Sequence, residues 1–278
     1  VCACGIAVRA VAPLIKSKQT DPAVVVLDDC GKFAVSLLSG HLGGANRMTE
    51  IIAEAVGAQP VITTATDAGG RFSPDCFAAA NGLIFKDFSA AKELASALLR
   101  GEKIGLISDI DCVNIPSDVV RADSGKYGIC ISRDMSAKPF GITLNMAPKN
   151  IVLGIGSRKG AEFSALTSLV RQNLTEMQLA RVCEVATIDR KANEPCILRL
   201  CQELNVPLKI YTAEQLAEVH GSFSMSEFVQ STVGVDNVCE RSASVGGNTL
   251  IIRKQAGCGV TLAAAERKVL IDFSRKQQ

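Results

Sequence analysis

His41, one of only two histidines in the chain, lies in the stretch Ser39-Gly40-His41-Leu42-Gly43-Gly44. An imidazole can give or take a proton near neutrality. Glycines allow positive φ and close backbone approach. Backbone amides at the start of a helix can hold a carboxylate or phosphate oxygen. The stretch follows the apolar run Phe33–Leu38 and precedes a helical pattern, so it sits where a parallel sheet offers a ligand site. His41 is therefore a candidate catalytic acid or base, with Ser39, Gly40, Gly43, Gly44 and Asn46 as candidate substrate-binding residues. The plainer alternative is that His41 only caps the turn.

A second glycine-rich stretch, Gly154-Ile155-Gly156-Ser157-Arg158-Lys159-Gly160, follows the apolar run Ile151-Val152-Leu153. Its glycine spacing is wrong for a dinucleotide fingerprint, and the expected acidic residue further on is missing. Two cations on a glycine turn at a helix start instead suit an anion, which makes Gly154, Gly156, Arg158 and Lys159 candidate substrate-binding residues. The alternative is a solvated surface pair. A third polar cluster, Ala186–Pro195, contains Lys191 and Glu194, which are candidates for acid–base catalysis or carboxylate binding. Helix capping competes with that role, with Asn193 as N-cap and Glu194 and Pro195 in the first turn. Thr63, Thr64 and Asp67 end another strand-like run in polar groups and join the binding candidates, although Asp67 can equally start a turn.

The elements that must position these groups follow from periodicity. Val24–Leu27 and Phe33–Leu38 read as strands joined by a hairpin. Met48, Ile51, Ile52, Ala55 and Val56 mark one face of a helix stopped by Gly57, and Pro60 opens a strand through Thr64. Further on, helices are expected at Pro74–Ala80 and around Ala91–Leu99, with strands at Ile104–Ile107 and Tyr127–Ser132. The stretch from Ala137 to Asn150, with two prolines, reads as a connection. Beyond it the pattern predicts a strand at 151–153, a glycine turn, a helix through Phe163, Leu166 and Val170, and strands at Val182–Ile188 and Pro207–Tyr211. Two short helices, Ala213–Val219 and Ser226–Val233, and strands at Leu250–Arg253 and Val260–Ala263 close the chain. Alternation of strand and helix predicts an α/β protein of several domains, with mostly parallel sheets flanked by helices and a small central linker domain. The expected divisions are 1–70, 71–147 and 148–278.

Composition narrows the function. At 278 residues and 47% hydrophobic, the chain can build more than one core. A formal charge of +2, no tryptophan and two tyrosines argue against a nucleic-acid partner. No apolar run approaches the roughly 20 residues that span a bilayer, so no membrane partner is expected. The eleven cysteines are scattered, with no C-x-x-C pair. That argues for small core residues in a reducing cytoplasm over a metal site.

Longer motifs carry a resemblance. GIAVRAVAPLIKSKQTDPAVVVLD (Gly5–Asp28), SLLSGHLGGAN (Ser36–Asn46), PVITTATD (Pro60–Asp67), GIGSRKG (Gly154–Gly160), ATIDRKANEP (Ala186–Pro195) and KQAGCGVTLAAAER (Lys254–Arg267) together resemble the cobalt-precorrin-5A hydrolase family of anaerobic cobalamin biosynthesis. The resemblance spans nearly the whole chain and is weakest between about Arg71 and Asn150. It implies a three-part enzyme that opens the δ-lactone of cobalt-precorrin-5A, releases acetaldehyde and gives cobalt-precorrin-5B. It also implies that the chain lacks its first few tens of residues. The implied partner is a cobalt-corrinoid small molecule. Transient contact with other enzymes of the pathway and a homodimer are compatible with it. No cofactor and no protein metal site are expected, because cobalt arrives within the substrate. Three departures stand out. Ser157 replaces a frequent cysteine, which argues against a nucleophile there; Met225 replaces a proline; and Ser242 and Ser244 fall in a usually alanine-rich stretch. A non-catalytic corrinoid carrier and a nucleotide-dependent α/β enzyme are the competing functions.

Overall fold

The computed structural model describes residues 1–17, 20–40, 43–63, 72–225 and 236–275. It divides into two compact units, Val1–Pro148 with Leu270–Gln278, and Lys149–Val269. Each is an α/β assembly with mixed sheets, and no helix among the described residues is long and apolar enough to cross a membrane.

The first unit opens with helix α1 (Cys4–Val11), followed by strands β1 (Val24–Leu27) and β2 (Phe33–Leu38), helix α2 (Ala45–Val56) and strand β3 (Gln59–Val61). β1 and β2 pair antiparallel, and β2 and β3 pair parallel across α2. Gly57, in the left-handed region at φ 72°, ends α2. The apolar stripe expected to seat this helix does not do so. Met48, Ile51 and Val56 are 46%, 50% and 51% exposed, and the buried side chains are Ala45, Thr49 and Ala53. These small residues recur every four positions and let the helix lie close to its sheet. Thr49 satisfies its buried hydroxyl on the Ala45 carbonyl at 2.7 Å. β3 starts one residue before Pro60 and stops at Val61.

The same unit contains α3 (Pro74–Ala80), β4 (Leu83–Ile84), α4 (Phe88–Leu99), β5 (Ile104–Ser108), β6 (Cys112–Val113), β7 (Val119–Arg121), β8 (Gly125–Ile131) and β9 (Phe140–Pro148). A five-stranded sheet runs in the order β4-β9-β8-β5-β7, with only the β4–β9 pair antiparallel. Ala90, Leu94, Ala97 and Leu98 of α4 pack on Ile104, Leu106, Ile129, Ile131, Leu144 and Met146. The stretch 137–150, expected to be a connection, contains β9, nine residues long. Pro148 closes that strand, where its missing N–H is tolerated. The Phe140 ring fills space that a side chain at Gly105 or Gly128 would need, since a Cβ at either would stand 2.3 Å from it. The tail also departs from expectation. β15 (Ile271–Asp272) pairs with β6, so these residues, expected in the last domain, group with this unit.

The second unit comprises β10 (Ile151–Ser157), α5 (Phe163–Asn173), α6 (Glu176–Ala180), β11 (Val182–Ile188), α7 (Pro195–Leu204), β12 (Leu208–Tyr211), α8 (Ala213–Ala217), α9 (Val238–Ser244), β13 (Thr249–Gly257) and β14 (Val260–Glu266). Its sheet runs β12-β11-β10-β14-β13, parallel on the β12–β11–β10 side and antiparallel on the other. Ile151, Leu153 and Ile155 face one way and join Leu166, Val170, Ile197 and Leu200 of α5 and α7 in the core. Val152, Gly154 and Gly156 alternate to the opposite face, against α9. A Cβ at Gly154 would stand 1.8 Å from the Cys239 carbonyl oxygen, and one at Gly156 would stand 2.5 Å from Thr261 Oγ1. The expected glycine turn is therefore strand as far as Ser157. Gly154 lets helix α9 approach the sheet, and Gly156 makes room for the Thr261 hydroxyl of the neighbouring strand. The helix expected at Ser226–Val233 lies outside the described residues.

Candidate functional site

A cleft of about 720 Å³ opens in the second unit at the carboxyl ends of β10 and β11, within the roughly 300–1,000 Å³ usual for small-molecule sites. Ser157 ends β10 and Ile188 ends β11, the position at which an open α/β sheet holds its ligand. The β13–β14 hairpin brings its tip to the same place. Cys258 and Gly259, at φ 48° and 80°, make the two-residue turn with positive φ that suits the twist of the strands. Arg158 N–H donates to the Gly259 carbonyl at 2.8 Å, joining the end of β10 to the hairpin tip. The apolar lining comes from Ile188, Val238, Ala256 and Val260. Four cations share that lining: Arg158 and Lys159 after β10, Lys191 after β11 and Lys254 from β13. Among the described residues Asn237 is the other strongly polar side chain there, and none of those that line the cleft is a carboxylate. An apolar floor ringed by cations suits a flat molecule with an apolar face and acidic edges.

The structure thus brings together Gly156, Arg158, Lys159 and Lys191. It places Gly154 away from the cleft, under α9, where packing accounts for it. Lys191 Nζ is 2.9 Å from Glu194 Oε1, and the Gly160 amide donates to Glu194 Oε2 at 3.1 Å. Glu194, rather than Asn193, is the N-cap of α7, with Pro195 at the first helical position. Burial pushes the Glu194 carboxyl up. The hydrogen bonds from Lys191 and Gly160 and the charges of Lys191 and Lys159 outweigh it and hold the group below its usual range. A carboxylate held in this way is a poor proton donor near neutrality, and its geometry makes it the fixed counter-charge that orients Lys191 toward the cleft.

In the first unit the turn after β2 is described on either side of His41 and Leu42, which lie outside the described residues, as do Thr64 and Asp67. Ser39 has φ 57°, its carbonyl accepts Ala45 N–H at 3.1 Å, and the Gly40 carbonyl accepts Asn46 N–H at 3.0 Å. Ser36 Oγ donates to Asn46 Oδ1 at 2.6 Å, and Asn46 fills the space a Cβ at Gly40 would need. Gly43 is packed on Ser39, and Gly44, at φ 81°, is the N-cap of α2. The Ser39 and Gly40 carbonyls and Asn46 Oδ1 are thus engaged with the turn itself, whereas Ser39 Oγ is buried with no hydrogen-bond partner among the described residues. Thr63 is exposed.

Lys254, Asn237 and the hairpin tip were not candidates by sequence. Lys254 and Cys258 fall in the KQAGCG motif, and the available signal was a Cys-Gly turn between two apolar runs. Among the described residues Asp28, Asp29 and Cys30 bring ligand atoms within 4.8 Å of one another, but on an exposed turn where Asp28 Oδ1 already accepts Phe33 N–H. All eleven cysteines are free, and burial pushes the Cys239 thiol up to about 11, which leaves it inert.

Comparison with known proteins places this geometry in a family. Residues 1–67 match the cobalamin synthesis G N-terminal family, 72–148 the cobalamin biosynthesis central region and 151–265 the cobalamin synthesis G C-terminus. The chain belongs to the cobalamin synthesis G family. It is 35% identical to a cobalt-precorrin-5A hydrolase from Salmonella typhimurium, over 95% of this chain and 80% of that one. It is 28% identical to a protein of the same name from Priestia megaterium, over 94% of this chain and 76% of that one. Among solved structures it is similar to a cobalamin biosynthesis protein G homolog from Sulfolobus solfataricus, at 24% identity and a TM-score of 0.40, covering 96% of this chain and 80% of that one.

Proposed function

We propose that this chain hydrolyses cobalt-precorrin-5A in cobalamin biosynthesis, and that the cationic cleft of the second unit holds the substrate's carboxylates. The observation that carries the reading is the identity to hydrolases of that name along nearly the whole chain. The cleft supports it chemically. Arg158, Lys159, Lys191 and Lys254 supply positive charge from three separate elements, and Ile188, Val238 and Val260 supply an apolar surface between them. Water adds to the lactone carbonyl and the ring opens to a carboxylate and a hydroxyl. Loss of the hydroxyl proton then breaks the adjoining carbon–carbon bond. Acetaldehyde leaves, and the electron pair stays on the conjugated macrocycle until a proton is returned. In this scheme the cations neutralise the carboxylates and the oxyanion formed at the lactone. Cobalt travels with the substrate, so the protein needs no metal of its own. The free thiols suit work in the cytoplasm.

Acetaldehyde release from cobalt-precorrin-5A, read by coupling to an alcohol dehydrogenase, tests the reading. Arg158→Gln with Lys159→Gln is expected to raise KM more than it lowers kcat, with an effect that shrinks as salt rises. Tight substrate binding without acetaldehyde would favour a carrier and refute the hydrolase.

A further inference from the structure

Glu240 is completely buried, yet no lysine or arginine among the described residues pairs with it. Its carboxylate instead accepts from four neutral donors. Lys254 N–H reaches Oε1 at 2.7 Å and Ser224 Oγ reaches it at 3.1 Å; Ser224 N–H reaches Oε2 at 2.7 Å and Asn237 Nδ2 reaches it at 3.0 Å. Burying a carboxylate is costly unless every lone pair is used, and here two donors serve each oxygen. The donors come from three segments: the loop at Ser224, the N-cap of α9 and strand β13. Two of them, Asn237 and Lys254, line the cleft.

The Lys254 amide is available because β13 is irregular there. Ile252 pairs with Ala264 and Gln255 with Leu262, so Arg253 and Lys254 together oppose Ala263. This is a β-bulge, a device that re-aims a side chain and leaves a ladder amide without its strand partner. Glu240 takes up that amide. Asn237 is held from both ends, since its Oδ1 accepts Glu240 N–H at 2.9 Å while its Nδ2 donates to Ser224 O at 2.9 Å and to the Glu240 carboxylate.

We propose that Glu240 is a positioning residue that holds the bulge at Arg253–Lys254 and thereby aims Lys254 into the cleft, where its ammonium binds a carboxylate at the edge of a tetrapyrrole. The inference rests on the cleft assigned under Proposed function and adds a specific ligand to it. A carboxylate is required because all four partners donate. Glutamine at this position would set an NH2 against N–H donors, either those of Ser224 and Asn237 or that of Lys254.

The test compares wild type, Glu240→Gln, Lys254→Gln and the double variant. KM and kcat are read from acetaldehyde release, affinity from the fluorescence of uroporphyrin, a stable polycarboxylated tetrapyrrole, and stability from thermal unfolding. Lys254→Gln should weaken KM and uroporphyrin affinity about tenfold, the loss of one charge-assisted hydrogen bond, with a smaller effect on kcat. Glu240→Gln should weaken both by a similar factor, and the double variant should be no weaker than either single one. The thermal midpoint should fall with Glu240→Gln equally on both backgrounds, because that part of its effect does not pass through the ammonium. Affinity losses that multiply in the double variant, or a Glu240→Gln protein with wild-type affinity, would overturn the inference. So would wild-type binding that does not depend on Lys254. If Glu240→Gln does not fold, Ser224→Ala, which removes one donor, should shift affinity in the same direction by a smaller factor, and unchanged affinity there counts against the inference. Lys254-dependent uroporphyrin binding in a protein that releases no acetaldehyde would refute the hydrolase reading and leave the positioning role standing.

Discussion

Gly154→Ala separates a glycine that touches ligand from one that lets two elements meet. The added methyl carbon would stand 1.8 Å from the Cys239 carbonyl oxygen, 2.8 Å from the Cys239 carbonyl carbon and 2.8 Å from Ser242 Oγ. The first two atoms are backbone and cannot swing aside. Real Cβ contacts essentially never fall below 3.0 Å, so α9 must retreat by at least about 1.2 Å from β10. That retreat pulls Ser242 Oγ from the Ala186 carbonyl, now 3.3 Å away, and strains the bonds Glu240 makes to β13. Overpacking of this kind costs about 1–3 kcal/mol, and the strained buried bonds add to it. A total of about 3 kcal/mol corresponds to a fall of roughly 10 °C in the melting temperature of a domain this size. Calorimetry reads that directly. Gly160→Ala is the control: φ is +67° there with nothing within 4 Å, so only backbone strain of about 1 kcal/mol is expected. If Gly154→Ala melts with wild type and loses only substrate affinity, the packing account is wrong and the glycine faces ligand.

Two further outcomes follow from buried charges in the second unit. The Glu194 carboxyl is held low in the folded state, so its stabilisation is fully present above the ordinary carboxylate pKa of about 4.3 and is lost as pH falls through the lowered value. Glu194→Gln should flatten that acid limb in denaturant titrations across pH, and an unchanged acid limb would show that the pair with Lys191 contributes nothing. Arg181 and Glu266 meet at 2.6 Å with side chains 4% and 11% exposed, and Arg181 also donates to Asn150 Oδ1. Glu266→Gln should cost about 3 kcal/mol in urea unfolding, while replacing both with Met should recover most of it, as a pair whose attraction barely exceeds its desolvation must do.

The elements most legible in the sequence were those whose side chains decide their own burial. Val182–Ile188 and Pro74–Ala80 appear with the expected bounds, because a continuous apolar run and a proline start followed by Asn-Gly leave few alternatives. Where a neighbour decides, the pattern misled. α2 carries a plain apolar stripe, yet it seats on Ala45, Thr49 and Ala53, since small residues permit the closest approach to β2. Gly154 and Gly156 looked like a phosphate-type loop. The period-2 alternation Ile151, Leu153, Ile155 against Val152, Gly154, Gly156 was the stronger signal, that of a strand with one bulky face and one stripped face. β9 was hidden by prolines at 139 and 148 that bracket it without interrupting it. Arg158, Lys159 and Lys191 could be found because each follows a strand end. Lys254 could not, because only the bulge and a carboxylate fourteen residues earlier in the chain place it.

The position of the cleft follows from the way the sheet is built. β10 is the one strand of that sheet with a parallel neighbour on one side and an antiparallel neighbour on the other. On its parallel side the chain leaves both β10 and β11 for the α5–α7 face, and Arg158, Lys159 and Lys191 stand just past those two strand ends, at the cleft. Its antiparallel side places the β13–β14 hairpin turn at the same end, with Gly257 opposite Val260 and the Gly259 carbonyl on the Arg158 amide. α9 covers the remaining face because Gly154 and the Ala263–Ala265 stretch let it lie close. Its N-terminal residues, Asn237 and Val238, then reach the cleft. The stripped strand face and the cationic cleft are thus one construction: the small residues bring the helix down, and the helix carries the carboxylate that holds the hairpin's lysine.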